Sequence, residues 1–140
     1  MYTSILLAID DSDASGRALE AASALARLAS GTVHLFHVQE RQDVIGKSGG
    51  SFDVEYKEEA EALVQRAAKK LAEEDVPTTS KIVHVPIGHV AGEIVRAATE
   101  TGADTTVMGS HGRSAIAAAV LGSNAYKVLH LADRPVLVVR

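Results

Sequence analysis

The sequence has no cysteine and no tryptophan, and only three prolines in 140 residues. Without cysteine there are no disulfides, no thiolate nucleophile and no zinc–thiolate centre, and an unstapled small fold is at home in a reducing compartment, so the expected location is the cytoplasm. No apolar run approaches the roughly 18 residues that a membrane helix needs. Met1-Tyr2-Thr3-Ser4 lacks the basic region that opens a secretory signal, so no targeting segment is expected. No cluster of Lys and Arg stands out, and the net charge of −4 argues against a protein whose main work is gripping a nucleic-acid backbone. Two familiar phosphate motifs are missing as well. Gly46-Lys47-Ser48 imitates the end of a P-loop, but the glycine required five positions earlier is Arg41. The turn Asp10 to Ser15 contains no glycine, which removes the three-glycine dinucleotide fingerprint and with it classical NAD binding.

What is there is an aliphatic chain, 46% hydrophobic and 4% aromatic, long enough for one domain spanning 1–140. Ile5-Leu6-Leu7-Ala8-Ile9 is a continuous apolar run, as expected of a parallel strand buried on both faces. Asp10-Asp11-Ser12-Asp13 offers caps to a helix whose inward stripe is Ala18, Ala22, Leu25 and Ala29, with Gly31 placed to stop it. Strands are predicted at Thr32–Val38, Lys81–Val85, Thr105–Met108 and Val136–Val139. Helices are predicted at Asp53–Asp75, Glu93–Thr101 and Ser123–Ala132, and Gln39 to Phe52 reads as a long aperiodic loop. Alternating strands and helices imply right-handed crossovers and a doubly wound, five-stranded parallel sheet with helices on both faces. Ligands in such sheets bind beyond the carboxyl ends of the strands where the winding reverses, here the turns that begin at Asp10 and Gly109.

The second turn is the more unusual. Gly109-Ser110-His111-Gly112-Arg113-Ser114, followed after Ala115–Leu121 by Gly122-Ser123-Asn124, places glycines after a strand and a Gly-Ser pair at a helix start. Glycine permits positive φ and close backbone approach, and the free N–H groups and dipole at Ser123 to Ala125 favour an anion. The plainer alternative is that these glycines only turn the chain and Ser123 only caps a helix. Asp10, Asp11 and Asp13 are read as helix caps rather than a metal site, and His34 and His37, three apart on a strand, face opposite sides. Ser110, His111 and Asp10 include hydrolase-type groups, but there is no Gly-x-Ser-x-Gly elbow.

The spacing glycine, two residues, glycine, nine residues, Gly-Ser is met by Gly109, Gly112 and Gly122-Ser123, and it resembles the ATP-binding branch of the universal stress protein family. Ala8-Ile9-Asp10-Asp11-Ser12 looks like that family's first-strand end, Gly88-His89 to Ile94 like its middle segment, and Arg134-Pro135-Val136-Leu137-Val138-Val139 like its last strand. His89-Val90 departs from the family's usual x-Pro, and Ala115-Ile116-Ala117-Ala118-Ala119 is unusually small. The resemblance implies an adenine nucleotide alpha hydrolase-like fold with strand order 3-2-1-4-5. It also implies that Asp10 and the backbone around Val38 receive adenine, with Gly109 near the ribose and Gly112, Gly122, Ser123 and Asn124 around the phosphates. Ala8, Ile9, Met108, His111 and Arg113 complete the expected site for ATP, or ADP or AMP. Arg113 is the loop's single cation, so Mg²⁺ arriving with the nucleotide would supply the missing charge. The same resemblance implies a homodimer through Val136, Leu137, Val138 and Val139. The expected function is a nucleotide-binding stress-response regulator. The alternatives are a slow ATPase or autophosphorylating protein, with Ser110, Ser114 or Ser123 as acceptor, and an interaction module that binds no nucleotide.

Overall fold

A computed structural model describes residues 1–44, 49–53, 56–112 and 121–140. Five strands run parallel: β1 (Ser4–Ala8), β2 (Thr32–Val44), β4 (Thr78–Pro86), β5 (Thr105–Gly109) and β6 (Val136–Val139). Their lateral order is β4-β2-β1-β5-β6, so the chain winds one way from β1 through β2 to β4 and the other way through β5 to β6. Counting the parallel strands alone, this is the expected 3-2-1-4-5. Leu7 at the centre pairs with Leu35 on one side and Val107 on the other.

Successive side chains of β1 divide between the two faces. Ile5, Leu7 and Ile9 join helices α1 (Asp13–Ala29) and α2 (Lys57–Glu73) in one core, through Ala18, Ala22, Ala67 and Leu71. Leu6 joins α3 (Val90–Glu100) and α4 (Ser123–Leu131) in the other, with Phe36, Ile94, Met108 and Val128. The small residues on the helices let them lie close to the sheet, and this is why so few aromatics suffice. Of the stripe expected on α1, Ala18 and Ala22 are buried and Leu25 and Ala29 are half-buried, while on α4 Ala125 and Val128 are buried and Leu129 is 46% exposed.

The stretch Gln39 to Phe52, expected as an aperiodic loop, is instead partly strand. β2 continues to Val44 and its end pairs antiparallel with β3 (Gly50–Asp53), in register from Arg41↔Asp53 to Val44↔Gly50. Gln39-Glu40-Arg41-Gln42-Asp43 shows no apolar alternation, although Gln39 is buried; this part of the strand is held by ladder pairing to β4 and β3. The intervening residues 45–48 lie outside the described set.

Helix α1 also ends differently from expectation. Ser30 takes the left-handed conformation at φ 52°, and the Gly31 N–H reaches back to Ala26 O at 2.8 Å. Gly31 is needed for space instead, since a Cβ there would collide with the Tyr2 carbonyl. That close approach leads into β1, whose entry is clamped by Asp104. Its carboxylate accepts from Tyr2 N (2.9 Å), Thr3 N (3.0 Å), Thr3 Oγ1 (2.9 Å) and Thr105 Oγ1 (3.1 Å). Burial opposes its ionisation, but the hydrogen bonds from Thr3, Thr105 and Tyr2 outweigh that and hold the carboxyl below the usual aspartate range.

Candidate functional site

At the carboxyl ends of β1 and β5, where the winding reverses, the two unusual turns meet. On the first, Ile9 N donates to Phe36 O at 2.9 Å, and buried His37 places Nδ1 2.8 Å from Ile9 O. This sets the end of β1 beside β2, with Ala8 and Val38 both against the α3/α4 core. The chain then turns at Asp10. Asp10 N donates to Ser15 Oγ at 2.9 Å, and Asp10 Oδ1 accepts from Ser12 N at 2.9 Å and from the Ser12 hydroxyl. Of the four polar residues that open α1, Ser12 is the N-cap, its Oγ accepting from Ser15 N at 3.1 Å.

The second turn is built on close approach. Gly109 ends β5 against the start of α1, where an added Cβ would stand 2.9 Å from both Ala14 C and Ser15 N. Gly112 lies on the Asp10 carboxylate, with Oδ2 2.9 Å from where its Cβ would be. Gly122 lies on the backbone of the same loop, its would-be Cβ 3.0 Å from His111 Cα and 3.1 Å from Ser110 O. The expectation that these glycines provide positive φ does not hold: the described positive-φ glycines are Gly88 and Gly102. Gly109, Gly112 and Gly122 provide room.

Two hydrogen bonds tie the loop down, Ser110 N to Val139 O and Gly122 N to Ser110 O, each 2.7 Å. The second brings the start of α4 onto the end of β5. The N-cap of α4 is Gly122 and no side chain caps it; Ser123 is the first helical residue, as predicted, and not the cap of the plainer alternative. The N–H groups of Ser123, Asn124 and Ala125 are those that i→i−4 bonding does not satisfy at a helix start. Ser110 Oγ lies 2.9 Å from His111 Nδ1, and the His111 carbonyl is 3.2 Å from Ser12 Oγ.

The structure thus gathers Ala8, Ile9, Asp10, Val38, Met108, Gly109, His111, Gly112, Gly122, Ser123 and Asn124 at one end of the sheet. Arg113 lies outside the described residues. Ser12 and Ser15 are the residues that reading the sequence missed. The run Asp10-Asp11-Ser12-Asp13 contains four possible caps, and composition does not say which one bridges to the other loop. Among the described residues no group of three or more His, Asp or Glu side chains could hold a metal ion.

A separate cleft of about 410 Å³ lies between β2, β4 and α3, lined by residues such as His34, Thr79, Lys81 and Glu100. None of the eleven residues just named lines it. Both ring nitrogens of His34 are engaged there, by Ser4 Oγ and Thr79 Oγ1, and burial lowers its pKa.

Comparison with known proteins gives the family and the fold. The model of the universal stress protein family matches residues 1–140. The chain is 34% identical to universal stress protein YxiE of Bacillus subtilis, with both chains covered completely. It is 33% identical to universal stress protein MJ0577 of Methanocaldococcus jannaschii, covering all of this chain and 96% of that one. The solved structure of MJ0577 superposes with a TM-score of 0.80 at 26% identity, over 99% of this chain and 96% of that one. A universal stress protein from Archaeoglobus fulgidus in complex with dAMP shares the fold at TM-score 0.72 and 24% identity, over 99% of this chain and 98% of that one. Another, in complex with cAMP, does so at TM-score 0.72 and 21% identity, over 99% and 97%. The chain belongs to the universal stress protein family.

Proposed function

We propose that this protein binds an adenine nucleotide, ATP or its lower phosphates, in the crevice between the β1–α1 turn and the β5–α4 loop. The observation that carries the reading is the seating of Gly112 on the Asp10 carboxylate at the mouth of an α4 terminus that no side chain caps. A carboxylate that can accept from an exocyclic amine stands at one side, and main-chain donors suited to phosphate stand at the other. Proteins of this fold hold dAMP and cAMP, so the fold accommodates an adenine nucleotide. In this reading Asp10 and the backbone near Val38 take the base. Gly109 lies by the ribose, and Gly112, Gly122, Ser123 and Asn124 wrap the phosphates with Arg113. Mg²⁺ enters with the nucleotide, bound by its phosphates rather than by a protein cage.

The role we assign is regulatory: in the cytoplasm, occupancy of the crevice biases assembly or partner binding in a stress response. The assembly is a homodimer through β6, the outermost strand of the sheet, whose Leu137 is 38% exposed. Exposed Tyr126, Leu129 and Leu131 on neighbouring α4 are consistent with a covered edge.

With no tryptophan and three tyrosines, the protein itself absorbs weakly, so a retained purine would dominate its ultraviolet spectrum. Purified protein is expected to show that excess, or to gain a higher melting temperature on adding millimolar ATP. The absence of both effects contradicts the proposal.

A further inference from the structure

We infer that Ser4 is an activated nucleophile, with His34 as its base and Thr79 as the residue that positions the base, and that it takes an acyl group from small activated esters entering the cleft between β2, β4 and α3. The three residues lie near the amino ends of their strands, away from the proposed nucleotide crevice, and the inference is independent of that reading.

The residues come from three adjacent strands. Leu6 of β1 pairs with His34 of β2, and His34 pairs with Thr79 of β4, so one level of the sheet runs straight across. Side chains two apart on a strand share a face, which puts Ser4 on the face of Leu6, one repeat nearer the amino end. Leu6, His34 and Thr79 all line the cleft of about 410 Å³, and Ser4 is half-buried beside them. The contacts run in series: Ser4 Oγ lies 3.1 Å from His34 Nε2, and His34 Nδ1 lies 2.8 Å from Thr79 Oγ1. A hydroxyl on one imidazole nitrogen and an orienting group on the other is the arrangement that activates a serine.

The proton positions follow from exposure. Thr79 is exposed, so its own hydroxyl proton can go to water while its oxygen accepts from Nδ1–H. The half-buried Ser4 hydroxyl has His34 as its hydrogen-bond partner among the described residues, and it donates to the Nε2 lone pair. Burial lowers the pKa of His34, so the imidazole is neutral at neutral pH and free to take a proton. Lys81 and Glu100, the other charged groups lining the cleft, are paired with each other at 3.2 Å.

In the reaction, Ser4 Oγ bonds to the carbonyl carbon of the ester as its proton passes to His34 Nε2. The bond from that carbon to the leaving oxygen then breaks, and the proton on Nε2 goes to the leaving group. The products are an O-acyl serine and a free alcohol, with nothing oxidised or reduced. A threonine hydroxyl holds an imidazolium less firmly than a carboxylate does, so the class of substrate that fits is an ester with a good leaving group.

The test treats the folded wild-type protein with p-nitrophenyl acetate at neutral pH and follows the acetyl groups by peptide mass spectrometry. Ser80 is the internal control, because it is exposed in the same cleft and has no histidine bonded to it among the described residues. Ser4 is expected to be acetylated about a hundredfold faster than Ser80, the scale of general-base catalysis. H34Q is expected to bring Ser4 down to the Ser80 rate. T79V, which keeps the shape of the side chain, is expected to slow Ser4 about tenfold, the worth of one hydrogen bond to a charged group, and T79S to restore it. A purely structural role would lower the melting temperature of the variants and leave the ratio of Ser4 to Ser80 labelling unchanged. Folded H34Q or T79V with the wild-type ratio overturns the proposal. So does wild-type protein in which Ser4 is labelled no faster than Ser80, a comparison that needs no variant to fold.

Discussion

The Asp10 carboxylate and the Gly112 Cα lie so close that a single methyl on Gly112 would stand 2.9 Å from Oδ2. Two segments about a hundred residues apart in sequence meet there with nothing larger than hydrogen between them. In a structural turn, a Gly112→Ala change would cost little beyond a small displacement. In a binding crevice it pushes the carboxylate proposed to take the base out of place. G112A is expected to remain folded and to weaken ATP binding about tenfold, or about 1.4 kcal/mol. Calorimetry beside a melting curve checks both parts.

Asp104 ties the entry of β1 to the start of β5, and its ionised form does the tying. A carboxyl whose folded-state pKa is depressed contributes stability that is fully present above its unfolded value, about 3.9, and is lost as pH falls through the folded value. Asp104→Asn should therefore lower the urea midpoint at neutral pH, and the difference from wild type should close as the solution is acidified below the ordinary aspartate range. A difference that persists in acid would mean that the carboxylate charge is irrelevant.

Arg134 finishes helix α3 from outside it. Its Nη1 donates to Ala98 O and Ala103 O, both at 2.7 Å, and Nη2 donates to Thr99 Oγ1 at 3.0 Å, from a side chain only 17% exposed. Arg134→Met removes the fork and takes the Arg134 donor from Ala103 O, while Ala98 O keeps the bond from Ala103 N, so a loss of about 2 kcal/mol is expected in chemical denaturation. Arg134→Lys recovers part of this at most, because one ammonium does not reproduce the planar fork.

The edge strand β6 gives a separate prediction. Val136, Val138 and Val139 are half-buried and Leu137 is exposed, on a strand paired only with β5 among the described strands. Leu137→Glu should convert the expected dimer into a monomer in light scattering at micromolar concentration, with little change in the far-ultraviolet spectrum. A wild-type monomer under the same conditions contradicts the dimer.

Much of this fold is legible in the sequence because its signals are local and mutually consistent. Ile5 to Ile9 is apolar at every position because both faces of β1 are covered, and Ala60, Ala67 and Leu71 repeat at helical spacing because one face of α2 is. What is not legible depends on partners distant in sequence. Gln39 to Asp43 becomes strand through hydrogen bonds to β3 and β4, which leave no periodic mark on the side chains. Leu129 has the spacing of a core residue on a helix whose buried face is narrower than the pattern suggests. At the site, the glycine spacing points to the loop after β5, but the reason for each glycine is the backbone or carboxylate pressed against it. Ser12, one of four possible caps, is singled out only when the His111 carbonyl comes within its reach.

The central claim is that the crevice between Asp10 and Gly122 holds an adenine nucleotide. Calorimetric titration of ATP into the wild-type protein and into Gly122→Val tests it most directly, since a valine there would press on the His111 backbone that shapes the loop. The account predicts saturable binding of one nucleotide per chain in the wild type, lost in the folded variant. No heat of binding in the wild type, or equal binding in both proteins, would contradict it.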